Sequence, residues 1–116
     1  MRVLLADDQP EVRSALRLLL EQEPELSIVG EAAETEDLLA RAGSGQLDLV
    51  LLDWELPGPR EGDLLVRLRA IYPGVRVVAL SGRPESRRAA LSAGADAFVS
   101  KGDPPERLLA AVQACR

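Results

Sequence analysis

Residues 47–58, reading LDLVLLDWELPG, pass from an unbroken apolar stretch to a single carboxylate and then to a turn. Leu49, Val50, Leu51 and Leu52 present no polar face, and a strand of that kind suits a parallel sheet covered above and below by helices. Asp53 ends the run. Ligands and chemistry collect at the carboxyl edge of open parallel sheets, so an acid at that point is a site candidate. Taken alone, it serves equally well as the start of the turn toward Pro57-Gly58.

The rest of the chain supplies the covering layers, because short apolar runs alternate with amphipathic stretches five times. Residues 2–6 predict a strand, followed by a helix over 11–21 with Val12, Ala15, Leu16 and Leu19 inward and Pro10 suited to its first turn. Residues 26–29 predict a second strand. A helix over 35–42 turns Leu38, Leu39 and Ala42 inward and stops at Gly43-Ser44-Gly45. After the central strand, residues 61–71 repeat the helical spacing through Leu64, Leu65, Leu68 and Ile71 and end at Tyr72-Pro73-Gly74. Residues 75–80 and 97–100 predict the last two strands, separated by an alanine-rich helix over 84–93 that Gly94 closes. Asp103-Pro104-Pro105-Glu106 reads as a capping box with proline in the first turn of a final helix running through Ala114. Strands alternating with helices imply right-handed crossovers and one doubly wound α/β sheet with helices on both faces.

Composition narrows the function classes. A chain of 116 residues holds one core, so residues 1–116 form one expected domain. A net charge of -5 argues against gripping nucleic acid directly. No apolar run approaches the roughly 20 residues of a membrane span and no leader precedes the first strand, so a cytoplasmic location is expected. Cys115 is the only cysteine and histidine is absent, which removes disulfides, cysteine zinc clusters and Ser-His-Asp chemistry. Chemistry here has to use carboxylates, hydroxyls, lysine or arginine.

Such groups gather at the strand ends. The first strand runs into Asp7-Asp8, the third ends in Asp53, the fourth in Ser81-Gly82 and the fifth in Lys101, and in a parallel sheet these ends share one edge. Two unit charges about 4 Å apart at an effective dielectric near 20 repel by roughly 4 kcal/mol, so three aspartates call for a cation among them. Hard oxygen donors suit Mg²⁺ or Mn²⁺. Individually, Asp7-Asp8 also suits a helix cap, Ser81-Gly82 is most often a turn, and a lysine after a strand is ordinarily a solvated residue. Yet Lys101 is the only lysine among 14 basic residues, an exception placed at the site edge.

DD after the first strand, D-W-E-L-P-G after the third, S-G after the fourth and K after the fifth together resemble the receiver domain of bacterial two-component response regulators, over the full 116 residues. The resemblance implies a flavodoxin-like, CheY-like fold with strand order 2-1-3-4-5, and a phosphoryl group accepted on Asp53 from a sensor histidine kinase. It implies that Asp8 and Asp53 bind Mg²⁺ with the backbone carbonyl of Glu55 while Asp7 positions the ion. Ser81 would hydrogen-bond the phosphoryl oxygens, Lys101 would pair with them, and Phe98 would be the switch aromatic that follows Ser81. Strand alternation sets Phe98 on the face opposite Ala97 and Val99, toward the helix that starts at Pro84. Gly102 stands where many receivers carry proline, which bears on the loop that delivers Lys101. The run from Gly94 through Leu108 is similar to the NarL/FixJ branch, whose receivers precede a LuxR-type helix-turn-helix output domain; an end at Arg116 fits a receiver that stands alone or one with its output beyond. The resemblance further suggests an ion pair of Glu55 with Arg83 over the acyl phosphate that slows its hydrolysis.

Leu18 and Leu109 fall off the inward faces of the first and last helices, where Leu108, Ala111, Val112 and Cys115 make the inner stripe of the latter, so a homodimer or interdomain contact is expected on that side. Two other readings compete with the phosphorylation switch. One is a Mg²⁺-dependent phosphatase of the haloacid dehalogenase sort, which wants its nucleophile on the first strand with a second acid two residues on. The other is a receiver-like interaction module that no longer depends on phosphate.

Overall fold

The computed structural model describes residues 1–42, 45–58 and 61–115. Five parallel strands, β1 (Arg2–Ala6), β2 (Ser27–Ala32), β3 (Leu49–Asp53), β4 (Arg76–Ser81) and β5 (Ala97–Ser100), form one sheet in the order β2-β1-β3-β4-β5. The connections are α1 (Pro10–Leu20), α2 (Thr35–Ala42), α3 (Glu61–Ile71) and α4 (Arg87–Ser92), with α5 (Pro105–Ala114) last. The expected flavodoxin-like α/β architecture is therefore the observed one. The stop expected at Gly43-Ser44 and the side chain of Ala42 lie outside the described residues.

Alternation along the central strand builds two cores. Val50 and Leu52 pack with Leu38, Leu64, Leu65 and Leu68 beneath α2 and α3, whereas Leu49 and Leu51 pack with Leu20, Leu108 and Val112 beneath α1 and α5. All five residues of β3 are buried, which is why that strand carries no polar side chain before Asp53. A smaller cluster of Ala79, Ala90, Ala95 and Phe98 seats α4, with alanines because the short helix lies close on the sheet.

Several local expectations are corrected. β2 runs through Ala32 because Gly30, Glu31 and Ala32 pair with Leu4, Leu5 and Ala6, and Glu31 on that edge strand takes its charge partners from Arg13 and Arg17. Arg17 above all holds the Glu31 carboxyl below its ordinary range. On α1 the deepest side chain is Leu20, while Ala15 is exposed and Val12, Leu16 and Leu19 are half-buried. These four line an apolar groove of about 390 Å³ that reaches Leu108 of α5, so the helix meets the sheet fully only at its last residue. Ile71, the last residue of α3, is exposed, and β4 begins at Arg76. Residues 84–86 form a tight 3-10 turn before α4, with Pro84 at its first position. No capping box opens α5: Pro104 occupies the N-cap, and the Asp103 carboxylate accepts from the Ser100 amide at 3.1 Å. Leu109 is half-buried against the α1 and α5 core, leaving Leu18, 67% exposed, as the outward leucine of the pair.

Candidate functional site at the sheet edge

Each acidic side chain reaches the rim because its strand ends there. The Asp7 amide donates to the Ala32 carbonyl at 2.9 Å, carrying the β1–β2 ladder one residue past β1, and Asp8 follows in the open. Asp53 pairs with Leu80 at the end of β3, and the next amide, that of Trp54, donates to the Leu80 carbonyl at 2.7 Å. Asp7 and Asp53 are 1% and 2% exposed. Oxygens of Asp7, Asp8 and Asp53 lie within 4.8 Å of one another, so the three carboxylates expected to meet do meet.

Lys101 arrives from the far side. Its amide donates to the Ser81 carbonyl at 2.8 Å, and the turn beyond it is closed by the Asp103 amide donating to the Ser100 carbonyl at 3.0 Å. The departure at Gly102 therefore leaves the delivery of Lys101 intact. Lys101 Nζ stands 2.7 Å from Asp7 Oδ2 and 3.5 Å from Asp53 Oδ1. Burial works against the ammonium charge, but Asp7 and Asp53 outweigh it and raise the Lys101 pKa. Burial likewise pushes Asp53 up to about 6; the Glu55 amide, donating to Oδ1 at 3.0 Å, opposes the rise, and the Asp7 charge adds to it.

Buried negative charge with one ammonium beside it remains short of cations. Asp7 Oδ1 accepts from the Gln9 amide at 2.9 Å, whereas among the described residues the buried Oδ2 has the Lys101 ammonium as its one close polar neighbour. Three clustered carboxylates with one ammonium among them fit a hard divalent cation with oxygen ligands. Asp7, Asp8 and Asp53 are the residues able to hold one.

Ser81 is fully buried next to this cluster. Its hydroxyl donates to Glu55 Oε1 at 2.8 Å and accepts from the Arg83 amide at 2.9 Å. The ion pair expected between Glu55 and Arg83 is not formed among the described residues, because the Glu55 carboxylate is turned to Ser81. Phe98 sits where alternation puts it, 8% exposed in the cluster beneath α4 with Trp54 packed alongside.

Two contributors were not foreseen from sequence. Arg13 reaches from α1 to donate to the Asp7 carbonyl at 2.6 Å while its Nε donates to Glu31, so it ties the acidic loop to the edge strand. Thr35 at the start of α2 donates its amide to the Pro57 carbonyl, and its side chain occupies the space a Cβ on Gly58 would need. Gly58 also has φ +131°, a region that favours glycine. Only the D-W-E-L-P-G turn itself hinted at the second.

Residues 3–113 match the response regulator receiver domain family. The chain belongs to that family. The receiver is 36% identical over 112 residues to the nitrate/nitrite response regulator protein NarL of Escherichia coli K12, covering 95% of this chain and 52% of that protein. It is 35% identical over 114 residues to the probable transcriptional regulatory protein SgaR of Hyphomicrobium methylovorum, covering 97% and 54%. The receiver thus spans about half the length of the curated relatives it matches. Among solved structures it resembles a LuxR-family two-component response regulator from Aurantimonas sp. SI85-9A1, with TM-score 0.88 and 31% identity over 97% of this chain and 82% of that one. RcsB from Salmonella enterica serovar Typhimurium, solved on promoter rprA with the phosphomimetic BeF3-, gives TM-score 0.88 and 26% identity over 100% and 68%. These relatives lie in the NarL and LuxR branch that the final helix region resembled, and they do not favour the phosphatase reading. Receivers are in general signalling modules that work with histidine kinases and often dimerise. No helix among the described residues is long and apolar enough to cross a membrane.

Proposed function

We propose that this receiver accepts a phosphoryl group on Asp53 from the phosphohistidine of a sensor histidine kinase, and that the modified form switches a surface governing a downstream output. The observation that carries this reading is Asp53 itself, a buried carboxylate at the end of the central strand beside two further carboxylates and the only lysine of the chain. An Asp53 oxygen attacks phosphorus; a P–O bond forms as the P–N bond to the kinase imidazole breaks, and the nitrogen keeps the electron pair. Mg²⁺ or Mn²⁺, held by Asp8, Asp53 and the Glu55 backbone carbonyl with Asp7 steadying the site, supplies charge neutralisation for the phosphoryl oxygens when bound.

The residues of the chain do the rest. Lys101 pairs with a phosphoryl oxygen, Ser81 donates its hydroxyl proton to another, and Phe98 follows the movement of Ser81 within its cluster. Water later attacks phosphorus and breaks the bond to Asp53, returning carboxylate and inorganic phosphate, so the domain loses its mark slowly and turns nothing over. Transcription is the output best supported, since SgaR is described as a transcriptional regulatory protein and RcsB was solved on a promoter. DNA contact would come through an output segment outside residues 1–116. Self-association through α1 and α5 is supported by exposed Leu18 and the groove between those helices. Sedimentation that shows the same monomer with and without beryllofluoride removes it.

Acetyl phosphate and Mg²⁺ test the central step on the intact chain. One phosphoryl adduct is expected by mass spectrometry on the wild type and none on Asp53→Asn. Steady phosphate release from a small phosphoester supports a phosphatase instead, and no adduct at all leaves an interaction module.

A further inference from the structure

Glu55 joins the acceptor carboxylate to the Ser81 hydroxyl. Its amide donates to Asp53 Oδ1 at 3.0 Å, and its carboxylate accepts the Ser81 hydroxyl proton at 2.8 Å. A serine hydroxyl has a single proton to give. While that proton is directed at Glu55, no other acceptor at the rim can use it. The oxygen of Ser81 is meanwhile held by the Arg83 amide at 2.9 Å, and its backbone carbonyl by the Lys101 amide at 2.8 Å, so the β4 end is anchored on both sides. Glu55 is the solvent-exposed member, and it makes no ion pair among the described residues. Its bond to Ser81 is therefore not a by-product of some other charge contact.

We propose that Glu55 is a positioning residue that holds the Ser81 hydroxyl in its resting arrangement, and that an anion on Asp53 binds by taking over that proton as the Glu55 carboxylate swings out to water. The inference rests on the Asp53 reading given above. Ser81 pairs beside Ser100 on the same rim, one residue past the Leu80 partner of Asp53, so a tetrahedral anion built on Asp53 grows toward it. The anion competes with Glu55 for one donor and repels it by like charge. Part of the anion's binding free energy is consequently spent on displacing Glu55, and a chain without that carboxylate begins closer to the bound arrangement.

Beryllofluoride, which binds a carboxylate oxygen as a phosphoryl mimic, tests this on the full chain with Mg²⁺ present, read by the fluorescence of the sole tryptophan, Trp54. Glu55→Ala is expected to tighten binding about fivefold, the net worth of one ordinary hydrogen bond, with Glu55→Gln between it and wild type. In a Ser81→Ala background the same change gains clearly less, because no proton remains to be handed over. Weaker binding by Glu55→Ala, or an equal gain with and without Ser81, overturns the assignment of Glu55 while leaving Asp53 in place. Binding that survives Asp53→Asn unchanged overturns the Asp53 reading and this one together.

Discussion

Lys101 Nζ lies 2.7 Å from Asp7 Oδ2 and 3.5 Å from Asp53 Oδ1, so the lone ammonium pairs with both carboxylates and sits closer to the neighbour of the proposed acceptor than to the acceptor itself. Burial raises the Asp53 pKa, the Lys101 charge offsets part of that rise, and Lys101 stays within reach of a group built on Asp53. It also ties the end of β1 to the end of β5 across β3 and β4. A single side chain thereby links the geometry of the acidic pair to that of the last loop.

Lys101→Ala is expected to destabilise the domain by about 2–4 kcal/mol, because two buried carboxylates lose their cation, and to reduce phosphoryl uptake from acetyl phosphate at least tenfold. Lys101→Arg should recover part of the stability and little of the uptake, since a planar guanidinium does not fill the place of a compact ammonium. Chemical denaturation and adduct yield, measured side by side, check both halves.

The pH dependence follows from Asp53. Its carboxyl titrates near 3.8 when unfolded and near 6 when folded, so the native state binds this proton more tightly. The stabilising contribution is complete below the unfolded value and is lost as pH rises toward and through about 6. Without metal, wild type should lose on the order of 2–3 kcal/mol relative to Asp53→Asn between pH 4 and pH 7, and Mg²⁺ should restore most of it at neutral pH. Thermal unfolding of both proteins in chelator and in Mg²⁺ provides the measurement; equal slopes in the two proteins would contradict it.

Arg13→Ala removes the donor that holds the Asp7 carbonyl at 2.6 Å. A stability loss of about 1–2 kcal/mol is expected, together with a Mg²⁺ affinity about tenfold weaker by Trp54 fluorescence. Arg17→Ala, which leaves Arg13 on both Glu31 and Asp7, should lower stability and leave the Mg²⁺ affinity near wild type.

Gly58→Ala is expected to cost about 2 kcal/mol or more, combining backbone strain at φ +131° with a methyl group driven against Thr35. Thr35→Ala in the same chain should recover part of that cost by emptying the space, while Thr35→Ala alone costs less than Gly58→Ala. Urea midpoints of the three variants give the coupling.

Element identity was legible wherever a local period decided it. β3, α2, α3 and β5 have the bounds their residue patterns imply, and β3 is buried throughout because an all-apolar strand has no other place in a covered sheet. The convergence of Asp7, Asp8, Asp53, Ser81 and Lys101 also followed from sequence, since parallel strands put all their carboxyl ends on one rim. Other features depended on how elements meet in space. Leu20 is buried and Ala15 exposed because α1 stands away from α5 along an apolar groove, which helical period alone cannot register. Asp103 closes a turn with Ser100 where its spacing suggested a cap, and the Glu55 carboxylate takes the hydroxyl of Ser81 where the resemblance suggested Arg83. The chain by itself determined which chemical groups reach the rim, because strand periodicity and parallel topology are repeated local rules. Only tertiary structure decided which of those groups bond to one another, because a side chain from one loop chooses among acceptors from other loops by distances that no spacing along the sequence encodes.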